Sequence, residues 1–340
     1  MSTFIPTRIP TPLPTLLNRK LILLSSLFAL CCYLPAAQAQ APQRPLLPHK
    51  AWALPGYHAV PSASAFKLPA DLAFDSVAAV TMNPAGNLLV LQRGPHPFLE
   101  FASDGTLVRT FGDGANYSRT HGLRFDKDGN LWMTDVGLHV VQKLDPNGKV
   151  LMTLGTSGKN GIWDEANGAH LFDQPNETAF DSHGNLYVVQ GHGVGEPRVL
   201  KFSSDGTFIK QWGSRGTEPG QFFAAHAIEI DANDVLYVAD RENFRIQRFD
   251  TEGTYLGEWK YEAMVCGLHL HDDGYLYMTS GFDGEFGKID MQNGTLLGTL
   301  GSPGTGVGQF GEAHYLTLDA AGNVYVADVV NRRVEKYVKE

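Results

Sequence analysis

The chain has 340 residues, 43% hydrophobic and 19% charged, with 37 glycines and a formal net charge of -9. That acidic balance, with no basic stripe to offset it, argues against a nucleic-acid partner and against binding to an anionic membrane surface. Abundant Gly and dense Asp-Gly and Asn-Gly turns point to short strands over long helices.

Residues 1–39 read as an export signal. Arg19-Lys20 precede the apolar run from Leu21 to Leu30, and Ala37-Gln38-Ala39 suits a small-residue cleavage site. The run is short for a bilayer span, so no stable membrane insertion is expected after cleavage. The expected location is therefore secreted or periplasmic. Cleavage would leave Cys266 as the one cysteine of the mature chain, with no intrachain disulfide. Residues 40–75 form a Pro- and Ala-rich segment that holds one expected strand near Tyr57–Val60.

From residue 76 to residue 340 the same pattern is written six times. Each copy is an alternating run, a tight polar turn and an apolar strand. The clearest copy runs from His121 to Asp145, HGLRFDKDGNLWMTDVGLHVVQKLD. The strands after the six turns read LLVLQ, LWMTD, LYVVQ, LYVAD, LYMTS and VYVAD. Repeats of roughly 40 to 55 residues made of short strands predict four-stranded propeller blades, here a six-bladed all-β propeller. The sixth copy ends at Val334–Val338 without an outermost strand, and the segment near 52–75 is expected to supply it and close the ring. The longest interruption, Thr156 to Phe172 with Trp163 and His170, suits either a lid over one mouth or a surface loop.

The innermost strand of a blade lines the central channel. Aligning the six turns puts Ala78, His121, Asn176, His226, Cys266 and His314 at one level of that channel. Histidine occupies alternate blades, about 120° apart in a six-fold ring, so three imidazoles converge on the axis. Three His ligands with a fourth position open form the ligand set of a catalytic zinc, although copper, nickel or iron also accept imidazole. Cys266 shares the level but not the three-fold set, and reads as a small buried residue. At the end of the second strand, blades one and four carry Arg93 and Arg241, whose planar guanidiniums suit a carboxylate or oxyanion. His192, after the second strand of blade three, lies at the same mouth and could act as an acid or base. His139 and His170 read as structural or as supports behind the metal ligands, and His269 and His271 as solvated.

At these residues the chain resembles peptidyl-α-hydroxyglycine α-amidating lyase, an NHL-repeat propeller. The resemblance runs from about 76 to 340 and is densest at HGLRFDKDGNLWMTDVGLHVVQKLD and YVADRENFRIQRF. It implies zinc held by His121, His226 and His314, with Arg93 and Arg241 as active-site arginines. It also implies cleavage of a peptidyl-α-hydroxyglycine to a peptide amide and glyoxylate. Two positions depart from the family. His192 stands where the family's catalytic tyrosine follows blade three. Tyr315 stands where an aspartate would bind a structural calcium, so that calcium is not expected. The expected protein is an exported, monomeric, zinc-dependent lyase-like enzyme acting on a small molecule or peptide that bears a carboxylate. A metal-dependent lactone or ester hydrolase and a non-catalytic binding scaffold are the alternatives.

Overall fold

The structure is a computed structural model that describes residues 53–340; the expected export signal lies outside the described residues. Each blade begins from its turn. The Asp126 carboxylate accepts the backbone N–H groups of Asp128 at 3.0 Å and Asn130 at 2.8 Å, while its other oxygen takes the Trp132 indole N–H at 3.0 Å. Gly129 makes this turn possible with φ +79°, a region that L side chains rarely adopt. Tyr187, Tyr237 and Tyr325 donate to Asp181, Asp231 and Asp319 in the same way, at 3.0 to 3.1 Å. The aromatic residue in the strand after the turn of blades two, three, four and six is thus a tether: the ring fills the space between blades and its polar tip locks the hairpin.

The described residues form six four-stranded antiparallel sheets. Their inner strands are Ser76–Met82, Thr120–Phe125, Pro175–Phe180, Ala225–Ile230, Leu268–Leu270 and Ala313–Leu318. Side chains from neighbouring sheets interdigitate, as where Tyr187 and Val189 of blade three pack with Ile228 and Val238 of blade four. The sixth sheet draws on both ends of the described chain. Tyr57–Val60 lies antiparallel to Arg333–Lys339, with Tyr57 opposite Lys339 and Val60 opposite Lys336. The final strand is thereby covered and presents no open edge.

The segment from Thr156 to Phe172 packs as a loop against blade three. Trp163 is buried, stacks on His170 and Phe208, and meets Phe172 and Phe202. Phe202 and Phe208 belong to the two outer strands of that blade. The loop therefore plugs the rim instead of roofing the channel. Among the described residues, no helix is long and apolar enough to cross a membrane.

Candidate metal centre and active site

The inner hairpins share one irregularity. Their pairing shifts between Val77 and Ala79, Thr120 and Leu123, Pro175 and Glu177, Ala225 and Ala227, and Ala313 and Leu316. These β-bulges hold Ala78, His121, Asn176, His226 and His314, five of the six residues that the turn alignment puts at one level. A bulge leaves its extra residue unpaired and re-aims its side chain, which is how a strand residue comes to face the axis. The sixth residue, Cys266, lies just before the short strand Leu268–Leu270.

The structure brings the three axial histidines together. Ring centroids are 4.8 Å apart for His121 and His226, 4.6 Å for His121 and His314, and 5.2 Å for His226 and His314. Each Nδ1 meets a backbone carbonyl of an odd-numbered blade: His121 with Asn176 O at 2.9 Å, His226 with Cys266 O at 2.8 Å, and His314 with Ala78 O at 2.6 Å. A carbonyl only accepts, so each Nδ1 carries the hydrogen and each Nε2 keeps its lone pair. Nε2 of both His121 and His226 is buried without a protein partner. Alternation around the ring thus has a purpose in both sets, since even blades supply imidazoles and odd blades supply the carbonyls that orient them. Gly122 permits the close approach this requires, because a Cβ there would lie 2.5 Å from Asn176 O.

Electrostatics at the ring favour neutral nitrogen. Burial pushes the His121 and His226 pKa values well below the ordinary 6.5, aided by His314 for the first and Arg241 for the second. Burial and Arg93 bring His314 down to about 3. Neutral imidazoles with inward lone pairs are what a divalent transition ion requires, so the residues present fit zinc. His192 joins the cluster, its ring 4.9 Å from His121 and 5.6 Å from His226. Burial, Arg241 and Arg119 hold its pKa at about 2, an environment that suits a neutral ligand better than a proton acceptor.

Both predicted arginines reach this mouth. Arg93 Nε donates to Thr120 O at 3.0 Å, and its charge bears on His121 and His314. Arg241 is fixed by Glu242, whose Oε1 accepts from Nε at 2.8 Å and also from Nη2. A cleft of about 250 Å³ opens beside Arg93, lined in part by Gln92, Pro97, Ala115, Tyr117 and Ser118. Sequence reasoning missed two further charges here, Arg119 and Glu312. Burial raises the pKa of the Glu312 carboxyl, while Arg241, Arg93 and Arg119 act to lower it. Arg119 and Glu312 each lie two residues before an axial histidine, and extending the alignment outward by one strand period would have found both.

The channel residues do not fit a carboxylate-held calcium. The Tyr315 hydroxyl donates to His226 O at 2.8 Å, and its ring lies 4.7 Å from His314 and 5.6 Å from His121. The nearby buried carboxylates are already engaged by Arg124, which donates to Glu229 and to Glu177 at 2.7 Å each. His269, expected in solvent, is held by burial and Arg124 at a pKa of about 3. His139 accepts the Gln174 N–H at 3.2 Å, which is a structural role. The Cys266 sulfur lies 3.7 Å from Nδ1 of His226, on the ring edge opposite the free Nε2, and burial pushes the thiol pKa up.

Comparisons with known proteins agree with this fold. A family profile described as a 6-bladed beta-propeller matches residues 181–296. NHL repeat-containing protein 3 of Homo sapiens is 30% identical over 280 residues, covering 74% of this chain and 76% of that protein. Peptidyl-alpha-hydroxyglycine alpha-amidating lyase 1 of Drosophila melanogaster is 30% identical over 251 residues, covering 64% of this chain and 44% of that protein. A solved structure described as "Streptogramin B lyase structure" is similar in fold, with a TM-score of 0.59 at 16% identity, covering 84% of this chain and 98% of that one. The chain belongs to the family of NHL-repeat six-bladed β-propellers that includes the amidating lyases, as a divergent member.

Proposed function

We propose that this protein is an exported, zinc-dependent, lyase-like enzyme that cleaves a carboxylate-bearing α-hydroxy amide to an amide and glyoxylate. The observation that carries this reading is the set of axial imidazoles whose Nδ1 hydrogens are committed to carbonyls, with the Nε2 atoms of His121 and His226 left buried and unpartnered. Zinc held there by His121, His226 and His314 would supply Lewis acidity and lower the pKa of a substrate hydroxyl. The substrate's carboxylate is received by Arg93 and Arg241. Arg241 is held in place by Glu242, so little side-chain freedom is lost when it binds an anion. The cleft beside Arg93 has room for a small group attached to the reacting centre. His192 borders the same space with a neutral ring nitrogen.

The reaction balances without an oxidant. The hydroxyl oxygen loses its proton and forms the carbonyl, the C–N bond breaks with its electron pair going to nitrogen, and that nitrogen takes up a proton. Glyoxylate release from an α-hydroxyglycine amide, assayed with the zinc-loaded protein, tests the reading directly. Release above the rate with the Arg241→Ala variant supports it, and no release overturns it.

A second reading, a propeller that binds a metal and an anion without turnover, is favoured by one observation. The position of the family's tyrosine holds His192, whose depressed basicity makes it a weak proton acceptor. Stoichiometric zinc with no glyoxylate would select that reading.

A further inference from the structure

His192 belongs with the axial histidines in geometry as well as in charge. Ligand nitrogens of His121, His192 and His226 all lie within 4.8 Å of one another. A tetrahedral ion with bonds of about 2.0–2.1 Å spaces its ligands roughly 3.3–3.4 Å apart, so the rings must turn inward to close the set, and His314, whose ligand atom groups with those of His226 and Cys266, must turn with them. The His192 ring makes no side-chain hydrogen bond among the described residues, in contrast with the three axial rings, whose Nδ1 atoms are all engaged.

The loop that carries His192 is itself held in place. Gly191 N–H donates to Asp173 O and Gln174 O at 3.1 and 3.0 Å, and Gly195 N–H donates to His192 O at 3.2 Å. The Gln190 amide links Asp173 to Glu196, and Asp173 in turn accepts from Glu196 N–H at 2.8 Å. Gly191 and Gly193, with φ of 103° and 62°, permit the sharp turn that brings the ring inward.

We propose that His192 is a fourth protein ligand, so that the resting metal centre is a four-imidazole site formed by His121, His192, His226 and His314. The inference rests on the zinc reading above, and under it a substrate hydroxyl would reach the ion by displacing His192 or as a fifth ligand. Cys266 also has its sulfur within 4.8 Å of ligand atoms of His226 and His314, but that sulfur faces the Nδ1 edge of His226, where Cys266 O is already bonded, and burial raises the thiol pKa, so His192 is the better fourth ligand. Four neutral nitrogens leave the whole charge of a divalent ion uncompensated. Together with Arg93, Arg119 and Arg241, that charge makes this mouth one for an anionic ligand despite the acidic chain.

X-ray absorption on the zinc-loaded full chain counts imidazole ligands without any need for turnover. Wild type should show four, and His192→Ala should show three with a light oxygen scatterer in the vacated place. Zinc affinity, measured by chelator competition, should weaken by about tenfold or more in His192→Ala and in His192→Asn, and stay unchanged in Cys266→Ser. Three imidazoles in wild type, or equal affinity of wild type and both His192 variants, would overturn the proposal while leaving the three-histidine centre intact. A wild-type chain that takes up no zinc would overturn both.

Discussion

Acidifying the metal-free protein tests whether the axial rings are held neutral. In the folded chain the His121 and His226 pKa values are pushed well below 6.5 by burial, and that of His314 is pushed to about 3. In the unfolded chain each returns to about 6.5. Below that pH the unfolded state binds protons that the folded state refuses. Stability therefore falls as pH drops from 6.5 towards about 3, and these groups contribute no slope above that window. Each ring should cost about 1.4 kcal/mol per pH unit, or roughly 2 kcal/mol between pH 7 and pH 5. Three rings cost roughly 6 kcal/mol, a large part of an ordinary stability of about 5–15 kcal/mol. Glu177 works in the opposite sense, because burial raises its carboxyl pKa and the folded state takes up its proton first. Comparing wild type with His226→Asn cancels that contribution. Urea unfolding followed by tryptophan fluorescence at pH 7, 6 and 5, after chelation, should show the variant losing about 2 kcal/mol less than wild type. Parallel losses in the two proteins would refute a neutral, buried His226.

Arg124→Met leaves Glu177 and Glu229 buried without their cation and should destabilise the protein by about 3–5 kcal/mol, read as a lowered Tm. Restoration by a companion Glu177→Gln change would tie the loss to the carboxylates. On the proposed reading Arg241→Ala should lower kcat/KM roughly 10- to 100-fold, and because it also leaves Glu242 without its cation it should lower Tm, so Arg241→Lys is the variant that separates anion binding from folding. A chain that starts at residue 67 lacks Tyr57–Val60, exposes the edge of Arg333–Lys339, and should melt several degrees lower and self-associate more readily on light scattering.

Much of this design is written into local sequence. A turn aspartate with an aromatic residue six positions later marks blades two, three, four and six, and an apolar strand follows the turn in all six, so blade number and inner-strand level follow from counting. The level of His121, His226 and His314 was legible for the same reason, although the alignment gave no sign that each sits in a β-bulge. Contacts between distant blades were not legible. Arg124 pairs with residues 53 and 105 positions away, and the Tyr315 hydroxyl reaches a carbonyl 89 positions back. No local pattern records those distances. The segment with Trp163 and His170 left lid and surface loop both open, and the choice turns on a contact no local pattern records, Trp163 packing on Phe202 and Phe208 of the outer strands of blade three.

Elemental analysis of purified wild type beside His226→Ala tests the central claim most directly, that three imidazoles from alternate blades share one ion. Wild type should carry about one zinc per chain after passage through a weak chelator, and His226→Ala should lose most of it, since each ligand is a large share of the binding free energy. Metal-free wild type, or a His226→Ala protein that retains zinc as wild type does, would contradict a metal centre on the axis.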